Sequence, residues 1–202
     1  MLRFLDDRDS EDEDLSGYVL DPNESELTGL VLHDQPEIVL WTIHLEWLDE
    51  GTEESSFEDA WGEVSHLVFG ENGWRDLVGK QTRVAYEEKD VHPILPDNPA
   101  NFYLFCEHHV PNQNHVRITG RDGRNFTLNW TCRIESGRPP GEPLEIDETV
   151  AFKEMSVYFA DESGVDVTAA RRVLKRHIAL SELGKPTVSG KWVNFPIRAR
   201  VK

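Results

Sequence analysis

The sequence predicts an α+β fold, built mainly from antiparallel β-sheet with two amphipathic helices and a disordered acidic N-terminal tail. Three observations lead to this class. Apolar and polar residues alternate with a period of two along much of the chain, which is typical of half-buried strands. Two segments, 55–70 and 169–183, carry apolar residues at the helical spacing of three and four. The run Asp6–Asp14 reads DDRDSEDED and has no apolar residue to bury.

That acidic run defines the predicted tail. Like charges at this density repel one another, so we expect residues 1–16 to be disordered. Residues 17–202 are expected to form a single α+β domain, because a chain of this length fits one hydrophobic core.

A β-hairpin is predicted next, from strands over residues 27–33 and 37–48. Asp34-Gln35-Pro36 lies between them and favours a reversal of the chain. The second strand alternates strictly, so one of its faces should point into a core. The residues on that face are Val39, Trp41, Ile43, Leu45 and Trp47.

The first helix is predicted over Ser55–Gly70. Ser55 and Glu58 stand three residues apart, as the two side chains of a capping box do. Its apolar stripe consists of Phe57, Trp61, Val64, Leu67 and Val68. A short helical turn over 74–78 and a strand over 80–87 are expected to follow.

Three prolines interrupt the segment Asp90–Asn101, at Pro93, Pro96 and Pro99. Proline removes a backbone donor and is excluded from helix interiors and central strands. The region near 90–101 is therefore the candidate place for a division into two domains.

A second hairpin is predicted around Arg121-Asp122-Gly123, with Gly123 left-handed in a bulge. This three-residue loop sets Ile118 opposite Phe126 and Val116 opposite Leu128, so that apolar residues face each other. The strand after the turn is expected to bury Phe126, Leu128, Trp130, Cys132 and Ile134. Further strands are predicted over 102–106, 115–120, 144–160 and 191–201.

The second helix is predicted over Ala169–Leu183, with Thr168 as its N-cap. Its apolar stripe consists of Ala170, Val173, Leu174, His177 and Ile178. Its opposite side carries Arg171, Arg172, Lys175 and Arg176. Such a cationic stripe is typical of a solvated helix face.

Charge is divided unevenly along the chain. Residues 1–100 hold 26 Asp+Glu and 6 Lys+Arg, a net charge of −20, and residues 101–202 hold 12 and 15, a net charge of +3. The total of −17 therefore hides a dipolar molecule. This asymmetry bears on partners and self-association rather than on fold.

One cluster has the character of a metal site: Cys106-Glu107-His108-His109, followed by His115. Imidazole and thiolate bind zinc-like divalent metals. Adjacent residues of a strand point to opposite faces, so either His108 or His109 can join His115, with His92 or Glu107 completing the site. The simpler interpretation is a pair of histidines near a loop with ordinary hydrogen bonds and no cofactor.

Sequence motifs for catalysis are absent. The chain has no Gly-x-Ser-x-Gly elbow, phosphate-binding loop or glycine-rich dinucleotide motif. Cys106 and Cys132 occupy inward positions of predicted strands, which favours inert core thiols in a reducing compartment.

The charge pattern and the missing motifs favour a non-enzymatic cytoplasmic interaction protein. Acids interleaved with aromatics suit a basic protein partner, so we expect an acidic inhibitor or adaptor. Nucleic acid is disfavoured because the acidic half repels phosphates. No apolar run of ~20 residues and no signal peptide is found, so no membrane contact is expected. Homo-oligomerisation through the oppositely charged surfaces, or a metal-binding module or metal-dependent enzyme using His108, His109 and His115, are the alternatives.

Overall fold

The computed structural model describes residues 1–4, 15–49, 60–70, 73–84, 99–104, 107–134 and 142–199. Within these residues, thirteen strands form one curled sheet and one α-helix is present, α1 (Val167–Leu174). The strands are β1 (Leu2–Phe4), β2 (Tyr18–Leu20), β3 (Glu26–Leu32), β4 (Gln35–Asp49), β5 (Ala60–Leu67), β6 (Gln81–Val84), β7 (Ala100–Leu104), β8 (Glu107–His109), β9 (Pro111–Asp122), β10 (Asn125–Ile134), β11 (Glu142–Tyr158), β12 (Thr187–Ser189) and β13 (Trp192–Pro196). Short 3-10 turns lie at Leu15–Gly17, Trp74–Asp76, Glu162–Gly164 and Leu180–Glu182.

The sheet runs in the order β6-β9-β10-β11-β3-β4-β5-β7-β8, and β1, β2, β12 and β13 attach beside this path. The described ladders are antiparallel except for β3 and β11, which run parallel. The sheet is therefore mixed, and the parallel ladder joins two antiparallel portions.

The predicted fold class is wrong in two respects. The described residues are mostly β, with a single helix of more than seven residues instead of two amphipathic helices. The sheet is also mixed rather than purely antiparallel. No helix in the described part of the chain is long and apolar enough to cross a bilayer.

The first predicted helix is replaced by the strand β5 over Ala60–Leu67, the larger part of its described residues. Ala60, Gly62 and Val64 point inward in alternation along β5, and Leu67 resumes the inward set after a bulge. At the bulge His66 has a φ of 60°, and the pairing with β4 shifts between Trp41 and Ile43. An extra residue in a strand moves the apolar positions by one, which imitates helical spacing. Residues 55–59, including the predicted capping box, lie outside the described residues.

The second predicted helix is shorter than expected and has a different cap. The Asp166 carboxylate accepts hydrogen bonds from the N–H groups of Thr168 (3.0 Å) and Ala169 (2.9 Å), so Asp166 is the N-cap in place of Thr168. After Leu174 the chain tightens, since the His177 N–H donates to the Leu174 carbonyl three residues back. The predicted stripe is buried as expected: Ala170, Val173, Leu174, His177 and Ile178.

Both predicted hairpins form, although the first one turns at His33-Asp34 and its second strand already begins at Gln35. β3 and β4 pair as predicted, and the inward residues of β4 are at most 1% exposed. In the β9–β10 hairpin the predicted buried residues are confirmed, and Gly123 is left-handed at φ 58°. The predicted three-residue loop is wrong, because Asp122 pairs with Asn125 across a two-residue turn at Gly123-Arg124. The predicted register is therefore wrong as well, and Ile118 faces Leu128 rather than Phe126. A bulge beside Thr127 absorbs one residue and still sets apolar against apolar.

The chain termini also differ from expectation. Leu2–Phe4 pair with Leu144–Ile146 of β11, and the terminal amine of Met1 forms an ion pair with Glu148 at 2.6 Å. Leu2–Phe4 of the predicted tail are therefore part of the sheet, whereas residues 5–14 lie outside the described part. Near the other end, Val193, Phe195 and Ile197 are buried as predicted, but Ala199 is exposed. Most of the proline-rich segment, residues 90–98, is also outside the described residues.

Aromatic side chains fill the interior of the curled sheet. Trp74 lies 5.3 Å from Phe152 and 6.0 Å from Phe126 between ring centroids, and its indole N–H donates to Glu182 at 3.0 Å. Phe102 stacks on Trp130 at 4.6 Å. Gly62 makes room for that stack, because a Cβ at this position would stand 2.4 Å from the Phe102 ring.

We predict that Gly62→Ala lowers the free energy of unfolding by about 1–3 kcal/mol, the usual effect of overpacking a core. The Phe102 ring is fully buried and held by Trp130, so it has no space into which to yield. Chemical denaturation of the wild type and of Gly62→Ala measures the difference in the free energy of unfolding. Gly164→Ala is the matched control, since a Cβ there meets nothing within 4 Å. Equal stability of the two variants would contradict this packing.

Candidate functional site

The outer surface of β4, β5, β7 and β8 combines aromatic rings with carboxylates. These strands bury their alternate residues, so the intervening side chains point away from the core. We call this surface the aromatic–acid face. It consists of His44, Glu46, Trp61, Glu63, Tyr103 and His108, with Val19 and Leu48 at one end.

Strand register brings these residues into two adjacent rows. In one row Glu46 lies opposite Trp61, Trp61 opposite Tyr103, and Tyr103 opposite His108. In the next row His44 lies between Glu26 and Glu63. Side chains directly opposite each other have Cβ atoms about 4.5–5.5 Å apart, so each row is a continuous surface.

The rings of the face contact one another. His108 lies edge-on to Tyr103 at 5.0 Å and to Trp61 at 5.9 Å between ring centroids. His44 stacks beside the other side of Trp61, at 6.2 Å. Trp61 and Tyr103 are partly exposed, so parts of both rings remain available to a partner. Rigid aromatics with one solvated face are typical anchors of protein interfaces.

His44 bridges two carboxylates on neighbouring strands. Its Nε2 lies 3.0 Å from Glu46 Oε1, and its Nδ1 lies 3.5 Å from Glu63 Oε2. Only the protonated imidazole can donate to both oxygens, since the neutral ring has one N–H. The hydrogen bond to Glu63 raises the pKa of His44 above its ordinary value of 6.5, with Glu46 acting in the same direction and burial opposing both.

The face also has an apolar end. Val19 and Leu48 are cross-strand partners on β2 and β4, and each is 43% exposed. Leu48 stands two residues beyond Glu46 on the same side of β4. Apolar area, aromatic rings and carboxylates are therefore contiguous, which is the composition of an interface core with a charged rim.

The residues of the predicted metal site are placed apart. His108 is exposed on the aromatic–acid face, whereas His109 is buried on the other side of β8 with its Nε2 3.2 Å from the Leu104 carbonyl oxygen. His115 is on β9, where it pairs with Thr131 and Arg83. The described residues contain no group of three or more His, Cys, Asp or Glu side chains arranged to hold a metal ion. Cys106 and His92 lie outside them, so the metal site stays a prediction.

Cys132 is a buried free thiol of the core. Burial raises the pKa of its thiol far above the ordinary value, which opposes formation of a thiolate. Cys132 therefore has the character of an inert core residue, as predicted.

Sequence reasoning identified only part of this face. The alternation of β4 marked His44 and Glu46 as outward positions, but Trp61 and Glu63 were assigned to a helix. An available signal was the outward alternation of Trp61 and Glu63 with Ala60, Gly62 and Val64.

Comparison of the chain with protein-family models, curated proteins and solved structures finds no match. The binding chemistry of the chain therefore follows from the geometry of the aromatic–acid face.

We predict that His44 stabilises the fold in a pH-dependent way. Because the pKa of His44 is raised in the folded protein, its stabilisation is complete below about pH 6.5 and is lost as the pH rises through the folded-state pKa. The free energy of unfolding of the wild type should therefore exceed that of His44→Gln, and the difference should be greatest at low pH. There it should reach about 0.2–1 kcal/mol, as expected for a partly exposed ion pair. Denaturation of both proteins across this pH range measures the difference.

Glu63→Gln provides the control for that measurement. In this background one of the two carboxylates that pair with His44 is gone, so His44→Gln should change the pH dependence of the free energy of unfolding less than it does in the wild type. A difference between wild type and His44→Gln that grows with rising pH would contradict the bridging geometry.

Proposed function

We propose that the protein is a non-enzymatic binding module whose aromatic–acid face binds a basic segment of another protein. The observation that carries this proposal is the row in which Glu46, Trp61 and Tyr103 lie opposite one another across three strands. It presents carboxylate and aromatic surface at the same place, on rigid strands rather than on loops.

Arginine is the side chain that this row suits best. A guanidinium group stacks on aromatic faces and also donates paired hydrogen bonds to a carboxylate. On this face it can lie over Trp61 while it pairs with Glu46 or Glu63, whose side chains are 28% and 40% exposed. Lysine supplies only a point charge, so the face should favour arginine-rich segments.

Long-range electrostatics support the same partner class. The face lies within the first 108 residues, and residues 1–100 carry a net charge of −20. A surface of this sign steers basic partners toward it and accelerates association at low salt. We place this binding in the cytoplasm and assign the protein the role of an acidic inhibitor or adaptor as parts of the same proposal.

We predict that the face binds a fluorescent arginine-rich peptide more tightly than a lysine-rich peptide of equal length. The variant E46Q/W61A/E63Q should bind the arginine-rich peptide with a dissociation constant about tenfold higher or more. This is the effect of losing about 1.4 kcal/mol of binding free energy at a hot spot. Fluorescence anisotropy titrations at low and high salt measure both dissociation constants.

The matched control is D122N/E162Q/W192A. It removes two exposed carboxylates and one partly exposed tryptophan away from the face, so the net charge changes equally. This control should bind like the wild type. Equal weakening by the two triple variants would show that net charge alone attracts the peptide, and the proposed function would be wrong.

A further inference from the structure

A basic counterpart to the aromatic–acid face lies on the same molecule. Arg171, Arg172 and Lys175 are exposed on α1, and Lys185 and Arg198 are exposed in the segments that follow. We call these five side chains the basic face. Within the described residues none of them forms an ion pair, whereas the neighbouring Arg176 pairs with Glu37.

The basic face cannot reach the aromatic–acid face of its own chain. The residues just after α1 are tied to the start of β4, since His177 Nε2 lies 2.8 Å from the Pro36 carbonyl oxygen and Arg176 contacts Glu37. Glu46 stands nine residues beyond Glu37 on β4, about 30 Å along the strand. That distance is about three Debye lengths at 0.1 M salt, so the two faces act independently.

We infer that the basic face of one copy docks on the aromatic–acid face of a second copy. This inference rests on the proposed function, because it names the basic partner as another molecule of the same chain. Charge complementarity supports it: one face holds carboxylates without enough cations, and on the other the five cations outnumber the neighbouring Asp166, whose carboxylate interacts with Arg172.

The shapes and chemistries of the two faces also match. Arg171, Arg172 and Lys175 project from one side of a short helix, and the aromatic–acid face is a sheet surface on which a convex helix can lie. Arg171 or Arg172 of one copy can stack on Trp61 of the other and pair with Glu46 or Glu63. Leu180, 39% exposed beside the basic face, offers apolar surface to Val19 and Leu48.

This contact is heterologous, since the two faces differ. Where one contact joins each pair of copies, one face of each kind stays unoccupied at the ends, so association continues head to tail beyond a dimer, into a ring or an open filament. The average mass should therefore rise steadily with concentration. It should fall to that of the monomer in high salt, because the contacts are charged and exposed.

The test is sedimentation velocity of the full chain at about 0.01 M and about 1 M salt, where the Debye length is about 30 Å and about 3 Å. Two single-face variants accompany the wild type: E46Q/W61A/E63Q and R171Q/R172Q/K175Q. All substitutions are at partly or fully exposed positions, and circular dichroism checks that both variants fold.

We expect the wild type to associate at low salt and each variant alone to be monomeric. An equimolar mixture of the variants should form a dimer and nothing larger, because each supplies one intact face. A mixture that stays monomeric, or variants that still associate alone, would overturn the inference.

Binding of the arginine-rich peptide to the wild type in the same low-salt buffer separates the two proposals. A wild type that is monomeric yet binds the peptide overturns self-association and keeps the proposed function. A wild type that neither associates nor binds the peptide overturns both.

Discussion

The strand β11 is the element on which the rest of the fold depends. Its first part pairs with β10 on one side and with β1 on the other, and its second part pairs with β13 and, in parallel, with β3. The parallel ladder brings Glu26 beside Ala151, so it joins segments far apart in the chain. Without this ladder the strands before and after it would be separate antiparallel units. Its backbone hydrogen bonds therefore fix where every outer surface lies.

This arrangement turns the uneven distribution of charge along the sequence into acidic and basic surfaces at different places on the molecule. The parallel ladder leaves only β3 between β11 and β4, and the start of β4 holds the residues just after α1 through Pro36 and Glu37. The aromatic–acid face lies toward the other end of the long strand β4. Acidic and basic surfaces are thus held apart by a rigid strand instead of neutralising each other. A molecule of this kind can present each surface to a separate partner.

The sequence predicted what short-range patterning determines. Strict alternation located β4 and β10 with their buried faces. Asp34-Gln35-Pro36 indicated the first reversal of the chain, which turns one residue earlier, at His33-Asp34. The prediction failed where a local feature departs from the expected pattern. The bulge at His66 made β5 resemble a helix, and a two-residue turn at Gly123-Arg124 in place of a three-residue loop changed the β9–β10 register. The parallel pairing of β3 with β11 has no local signature at all. His44, Glu46 and Tyr103 of the aromatic–acid face were therefore identifiable as outward strand residues. Trp61 and Glu63 were not, since they depend on the correct assignment of β5.

The proposed function requires that a basic partner occupy the aromatic–acid face specifically. The most direct measurement is a nuclear magnetic resonance titration of the isotope-labelled R171Q/R172Q/K175Q protein, in which self-association cannot compete, with an arginine-rich peptide. Trp61→Phe assigns the indole signal of Trp61. The account predicts chemical-shift changes concentrated at the Trp61 indole, His44, Tyr103 and His108. Changes spread evenly over exposed acids, including Asp122 and Glu162, would contradict it.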